Sequence, residues 1–164
     1  MHDPSGGARS SRPQAAEWPD APAPWRTDGP VDHRGLRLDA DTSAPGIARR
    51  FMNPLAGHLG QEAMEDLFLL VSELVTNAVI HTPPARAPGA IGVDVHVTTA
   101  SVVVTVTDPG PGFDPARLRG SRPGMPGGRG LELVTLLTPR RGIEGRSPFA
   151  LWFELTNGAE PPAR

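Results

Sequence analysis

The sequence predicts an α/β protein of the α+β type, a two-layer sandwich with helices on one face of a mostly antiparallel mixed sheet. Apolar residues recur at helical spacing from Gln61 to about His81, which predicts a long amphipathic helix. Apolar and polar residues alternate through 91–97 and again through 102–106, which predicts a β-hairpin. The predicted order is strand, helix, helix, strand, strand, loop, helix, strand, strand. This order favours a sheet covered by helices on one side.

The first two elements are predicted from short patterns. Apolar and charged residues alternate from His33 to Asp39, as in a half-buried strand. Ser43 is a suitable N-cap, and Pro45 is tolerated in a first helical turn, so a helix is expected to follow. Pro54 is expected to end or kink that helix.

The C-terminal third is predicted to contain a loop, a helix and two strands. Residues 109–128 are rich in glycine and proline and have the length of a mobile loop or lid. A short helix is expected over 129–137, followed by a strand pair over 142–145 and 149–155. Trp152 is expected to lie in the core.

Size and composition predict one domain with flexible ends. The chain has 164 residues, of which 38% are hydrophobic, enough for one packed core. Residues 1–30 have no apolar periodicity and are predicted to be a disordered tail, with the domain over 31–157 and a flexible tail over 158–164. Isolated Trp18 and Trp25 in the first tail leave open a partner-docking segment.

Charge and residue usage exclude several functions. The formal net charge of −2 argues against a nucleic-acid partner held by phosphate contacts. The absence of cysteine excludes disulfides and thiolate metal sites, and the absence of lysine excludes a Walker A phosphate loop. No apolar run approaches the ~18–20 residues of a spanning helix, and no N-terminal signal is recognisable, so we expect a soluble cytoplasmic protein without a membrane partner.

Three short motifs stand in order along the chain. The first, E-L-V-T-N-A-V-I-H, covers residues 73–81 of the predicted long helix. The second, D-P-G-P-G-F, begins at Asp108 at the end of a predicted strand, and the third, G-R-G-L over 128–131, opens a helix. Helical spacing places Glu73 and Asn77 on one helix face. In this order, the motifs predict an ATP site.

The second and third motifs contain residue types that suit nucleotide binding. An ionised Asp108 only accepts hydrogen bonds, so it selects the amino group of adenine over the O6 acceptor of guanine. Gly110 and Gly112 let the backbone approach the base and sugar closely. Gly128 and Gly130 lie where a loop enters a helix, so free N–H groups and the positive helix end face the phosphates.

These motifs resemble those of the ATPase superfamily that includes gyrase B, the mismatch-repair ATPase, the heat-shock ATPase chaperone and the histidine kinases. The closest likeness is to bacterial anti-sigma-factor serine/threonine kinases. The resemblance implies a Bergerat-type fold, with ATP and Mg²⁺ as cofactors and Asn77 as the metal ligand. It implies that Glu73 orients or deprotonates the attacking group, either water or a partner's hydroxyl. The residues implied in cofactor binding are Asn77, Asp108, Gly110, Gly112, Gly128, Arg129, Gly130 and Leu131.

The resemblance also implies partners, and it leaves alternatives open. An anti-sigma kinase binds a sigma factor and phosphorylates an antagonist protein, and homodimers are implied. A different class is a nucleotide-gated module that sequesters a partner without transferring phosphate. A third is a scaffold that binds no nucleotide, in which the helix motif is a solvated face and the glycine motifs are turns.

Two features bear on how strongly ATP would bind. Arg117, Arg119 and Arg122 either close on the triphosphate or form a charged solvent loop. Related chains carry a threonine near the adenine at the start of the last strand, and alignment on Trp152 puts Ala150 there. A local shift would let Ser147 substitute; otherwise adenine loses one hydrogen bond.

Overall fold

The fold consists of a five-stranded sheet and three α-helices within the part of the chain that the structure describes. The computed structural model describes residue 23 and residues 32–82, 88–110, 129–146 and 148–156. The predicted tails over 1–30 and 158–164 therefore lie outside it, except for Ala23. The strands and helices are β1 (Asp32–Leu38), α1 (Ala44–Met52), α2 (Gln61–His81), β2 (Ile91–Val97), β3 (Ser101–Asp108), α3 (Arg129–Leu137), β4 (Arg141–Arg146) and β5 (Phe149–Thr156).

The sheet has the strand order β1-β2-β3-β5-β4, and all four pairings among the described strands are antiparallel. The expectation of a mostly antiparallel sheet is thus confirmed. Because β5 inserts between β3 and β4, the end of β3 lies at the centre of the sheet. Asp108, the last residue of β3, therefore belongs to a strand that has a neighbouring strand on each side.

The core lies between the three helices and one face of the sheet, which we call the inner face. Every second residue of the strands contributes to it, and the helices contribute one apolar stripe each. Leu67, Leu70, Val71 and Val75 of α2 are fully buried in this core. Burial of large aliphatic side chains contributes about 1.5–3 kcal/mol each, so α2 is firmly held.

Helix boundaries follow the predicted signals, with one difference. α1 ends at Met52, and a 3-10 turn over Asn53–Gly57 continues the chain, as expected from Pro54. Ser43 precedes α1 but makes no side-chain cap. Its hydroxyl and backbone N–H instead donate to Oδ1 of Asp41, at 2.6 and 2.7 Å. The Asp41 carboxylate accepts both hydrogen bonds, so an Asx-type turn stands where the sequence predicted a side-chain cap.

The β2–β3 hairpin is closed by its turn residues. The backbone N–H of Thr98 donates to the carbonyl of Ser101 at 2.8 Å, and the Thr98 hydroxyl accepts from the Ser101 N–H at 2.9 Å. These bonds fix the register in which Val97 faces Val102. The inner-face valines of both strands therefore point to the helices.

Trp152 is buried, as predicted, but not in the main core. Phe149, Leu151 and Phe153 of β5 belong to the core against the helices, whereas Trp152 belongs to a separate cluster with Val103 and Ala23. Strand alternation therefore places Trp152 on the opposite face, which we call the outer face.

No helix in the described ranges is long and apolar enough to cross a membrane.

Candidate functional site

The candidate site lies along one face of the C-terminal half of α2. Glu73, Asn77 and His81 are four residues apart, so their side chains follow one another along this face. Glu73 and Asn77 are partly buried and His81 is exposed. The face thus runs from the protein interior to solvent over two helical turns, about 12 Å.

The first turn of α3 packs directly on Glu73 and Asn77. A Cβ atom built on Gly130 would stand 2.7 Å from Asn77 Nδ2 and 3.0 Å from Glu73 Cβ. Real Cβ atoms do not approach other atoms within 3.0 Å, so a larger residue at this position would force a neighbouring group to move. The start of α3 and the first motif are therefore in van der Waals contact.

The Asn77 amide has an unmet hydrogen-bonding requirement. Its Nδ2 atom is buried and has no hydrogen-bond partner among the described residues. A buried polar group without a partner costs about 1–3 kcal/mol, and such groups in folded proteins call for an explanation. This nitrogen lies close to Gly130 at the start of α3. An amide held in this way can serve a ligand that offers both an acceptor and a hard cation.

Asp108 and Gly110 form the other end of the site. The Gly110 backbone N–H donates to Asp108 Oδ1 at 2.7 Å, which folds the chain back on itself after β3. A Cβ atom on Gly110 would stand 2.9 Å from the carbonyl oxygen of His81. This turn therefore packs against the last residue of α2. Within the described residues Oδ2 of Asp108 accepts no hydrogen bond.

The environment of Asp108 changes its acidity. The side chain is only 8% exposed, and burial raises the pKa of the carboxyl above its ordinary value. The Gly110 N–H and the nearby His81 act in the opposite direction, by favouring the charged form. An acceptor that is buried and already oriented by one N–H is well suited to receive a second one from a ligand.

Leu131 occupies a different position from its neighbours in the motif. Its side chain is 5% exposed and belongs to the main core. Any contribution to ligand binding would therefore come from its backbone. Gly112, Gly128 and the predicted loop arginines lie outside the described residues, and for Arg129 only the helical backbone is described.

The last strand supplies no hydroxyl beside Asp108. Phe149 is the residue paired with Asp108, and it lies on the inner face with the core. Ala150 pairs with Thr107 and belongs to the outer face, so it does not occupy the position of a ligand contact on the Asp108 side. Ser147 lies outside the described residues.

The described residues contain no cluster of three or more His, Cys, Asp or Glu side chains that could hold a metal ion. A cation at Asn77 would thus depend on ligands from outside this part of the protein. Mg²⁺ is bound in this way when one or two protein oxygens combine with substrate phosphates and water.

The contact of His81 with Gly110 was not predicted from the sequence. The only signal was the glycine itself, since a close backbone approach is one of several reasons for glycine in a turn. Likewise, sequence spacing could not reveal that Gly130 meets Asn77 from another helix.

The fold is a two-layer α/β domain. One helix face and two glycine turns meet at its candidate site. The model of the histidine kinase-like ATPase domain family matches residues 36–143. The chain belongs to this family, and ATP is the nucleotide that the family uses. The predicted superfamily and fold are thereby confirmed.

Individual relatives agree with the family. The chain is 35% identical over 81 residues to "Serine-protein kinase RsbW" of Listeria innocua, covering 48% of this chain and 52% of that protein. It is 33% identical over 86 residues to the protein of the same name from Bacillus velezensis, covering 51% and 54%. The chain thus spans about half the length of the curated relatives it matches.

A solved structure has the same fold. The RsbU and RsbW domains of Rv1364c from Mycobacterium tuberculosis align with a TM-score of 0.59 at 19% identity. The alignment covers 77% of this chain and 33% of that one. At this identity the likeness establishes the fold alone.

Proposed function

We propose that the protein is an ATP- and Mg²⁺-dependent serine/threonine protein kinase of the anti-sigma type. In this role it binds a sigma factor and transfers phosphate to a hydroxyl of an antagonist protein. The observation that carries the proposal is the arrangement along α2, where Gly130 meets Asn77 and Glu73 and the Asp108 turn meets His81. The relatives named as serine-protein kinases support it.

The adenine end of the proposed site is the Asp108 turn. Asp108 Oδ1 is occupied by the Gly110 N–H, which leaves Oδ2 to accept from the adenine amino group. Gly110 keeps this turn against the end of α2, so the acceptor is fixed in position. Guanine presents a carbonyl at the corresponding place and would be rejected by the carboxylate.

The phosphate end is the contact between α2 and α3. Backbone N–H groups in the first turn of a helix have no intrahelical partner and favour anions. Gly130 brings this turn to Asn77, whose amide oxygen would hold Mg²⁺ together with the phosphates. Bound Mg²⁺ would neutralise charge on the phosphates during transfer.

Glu73 is placed to act on the attacking hydroxyl. It lies one turn before Asn77 on the same helix and is partly buried. Positioning is the larger part of phosphoryl transfer, so Glu73 would orient the serine hydroxyl and accept its proton as the bond to phosphorus forms.

Binding and transfer are tested in two steps. Calorimetric titration with ATP and GTP, each with and without Mg²⁺, should give adenine-selective, Mg²⁺-dependent binding. Asn77→Ala should abolish the Mg²⁺ dependence, whereas Thr76→Ala, at the exposed neighbouring position, should not. Unchanged binding by Asn77→Ala would refute the metal assignment.

The second step uses γ-labelled ATP and candidate antagonist proteins. Wild type should label a serine or threonine of the antagonist, and Glu73→Gln should bind ATP normally but transfer little label. If wild type binds ATP yet labels no antagonist while still retaining a partner in a nucleotide-dependent way, the protein is the sequestering module instead.

A further inference from the structure

The outer face of the sheet is covered, although the described helices all pack on the inner face. Val103 and Trp152 are 0% and 5% exposed, and Thr105 and Glu154 are nearly as buried. In a two-layer sandwich this face would be open to solvent on one side. Something other than the three helices therefore excludes water from it.

Burial on this face is concentrated over β3 and β5. The strand register aligns His33, His96, Val103 and Glu154 in one row across four strands. His33 at the edge is exposed, although its ring stacks on His96 at 4.2 Å, whereas the other three are buried. The cover thus crosses the middle of the sheet and stops short of β1.

Trp152 provides a flat apolar platform at this place. A Cβ atom on Gly142 of the neighbouring strand would stand 2.7–2.9 Å from three atoms of the indole. The ring therefore lies along the sheet over Gly142 instead of standing away from it. One side of the ring therefore faces β4.

Ala23 is the described residue that lies on this platform. It is 0% exposed and forms a cluster with Val103 and Trp152, although it precedes β1 and belongs to no strand or helix. In the sequence it stands between Pro22 and Pro24. A residue before proline is restricted to extended or polyproline II backbone, and such segments dock on aromatic surfaces at low entropic cost.

The chain length permits this contact. Nine peptide steps separate Ala23 from Asp32, and extended chain spans about 3.3–3.6 Å per residue, or about 30 Å in all. Asp32 lies on β1, two strands from β3 and three from β5, which is about 10–14 Å across the sheet. One copy of the chain can therefore reach its own outer face.

We infer that the proline-flanked segment around Ala23 is an intramolecular strap that docks on the Trp152–Val103 platform. The N-terminal region predicted to be a disordered tail thus contains one ordered anchor. The strap occupies the outer face, so partners of the ATP site must bind elsewhere or displace it. This inference is independent of phosphate transfer.

Thiol labelling tests the strap, because the wild-type chain contains no cysteine. The variants are Ala23→Cys and, as a matched control, Ala56→Cys at an exposed position of the 3-10 turn. The introduced thiol at position 23 should react with a small disulfide reagent at least about tenfold more slowly than in urea, because reaction requires local opening. The thiol at position 56 should be almost unprotected. Equal protection factors for both would overturn the inference.

Fluorescence quenching provides a second measurement, which does not use urea. With Trp18→Phe and Trp25→Phe, only Trp152 emits. Adding Ala23→Asp should raise acrylamide quenching several-fold, whereas adding Ala56→Asp should leave it unchanged. Quenching unaffected by Ala23→Asp would overturn the inference. Loss of the protection of Trp152 against acrylamide on dilution of the protein would overturn the inference as well. The outer face would then be covered by a second copy of the chain.

Discussion

Gly130 of α3 and Asn77 of α2 are in direct contact, so close that a Cβ atom on Gly130 would stand 2.7 Å from the Asn77 amide nitrogen. The two residues come from motifs about fifty positions apart in the chain. Their contact joins the helix that carries the side chains to the helix whose N–H groups would meet the phosphates. Small changes at this contact should therefore alter the site before they alter the fold.

Gly130→Ala tests this contact. The added methyl would force α3 or the Asn77 side chain to move, so we expect a loss of about 1–3 kcal/mol in unfolding free energy together with weaker ATP binding. Urea unfolding and calorimetry measure the two effects. Gly46→Ala is the control, because its Cβ has room in α1, and it should stabilise the protein by about 0.5–1 kcal/mol. Wild-type ATP affinity in Gly130→Ala would contradict the prediction.

Gly110→Ala should separate the adenine end from α2. Its Cβ would meet Asp108 Oδ1 at 2.7 Å and the His81 carbonyl oxygen at 2.9 Å. We expect the turn to move, discrimination between ATP and GTP to fall, and stability to drop by about 1–3 kcal/mol. Gly57→Ala, with open space at its Cβ, should change neither quantity. Retained ATP selectivity in Gly110→Ala would show that this turn does not set it.

Asp108→Asn should weaken ATP binding and should raise the stability of the folded protein at high pH. The folded-state pKa of Asp108 is raised above the ordinary 3.8, chiefly by burial, so the stability its neutral form provides is complete at low pH. That stability is lost as pH rises through the raised pKa. The amide keeps an acceptor for the Gly110 N–H without the buried charge. We expect a Tm a few degrees above wild type near pH 8, and no difference near pH 3.

Asp66→Asn provides a comparison, since the pKa of Asp66 is also raised, by burial and by neighbouring Glu62 and Glu65. It should show a smaller Tm difference in the same direction and normal ATP binding. If Asp108→Asn lowers the Tm near pH 8, the carboxylate is stabilised by something beyond the contacts described. ATP binding equal to wild type would refute its adenine role.

Gly142 and Trp152 should be energetically coupled. Gly142→Ala would place a methyl 2.7 Å from Trp152 Nε1, so we expect destabilisation of about 1–3 kcal/mol. In the Trp152→Phe background the smaller ring can retreat, and the same substitution should cost at least about 0.5 kcal/mol less. A double-mutant cycle by urea unfolding measures the coupling. Strict additivity would mean that the ring does not lie over Gly142.

The sequence predicted the elements that have regular patterns. The bounds of α2 were recovered because its apolar stripe is long, and the β2–β3 hairpin because valines alternate cleanly. Trp152 was expected in the core, but strand alternation alone cannot say which face of β5 the helices cover. The position of Ala23 depends on tertiary packing, which composition alone cannot reveal.

The sequence indicated which residues to group into a candidate site, but it did not indicate their geometry. Residue types and order indicated which groups belong together, since a carboxylate, an amide and glycine turns have characteristic ligands. The close approaches at Gly110 and Gly130 depend on how α2 and α3 cross. No local pattern encodes that crossing, which is why the two contacts appear only in the folded chain.

Because Glu73, Asn77 and His81 share one helix, α2 would fix the spacing between the two ends of the proposed nucleotide site. One residue inserted between Asn77 and His81 would turn the helix by about 100° and lengthen it by about 1.5 Å, separating the two ends of the site. An insertion between Glu73 and His81 should therefore disrupt the site more than a single substitution there does.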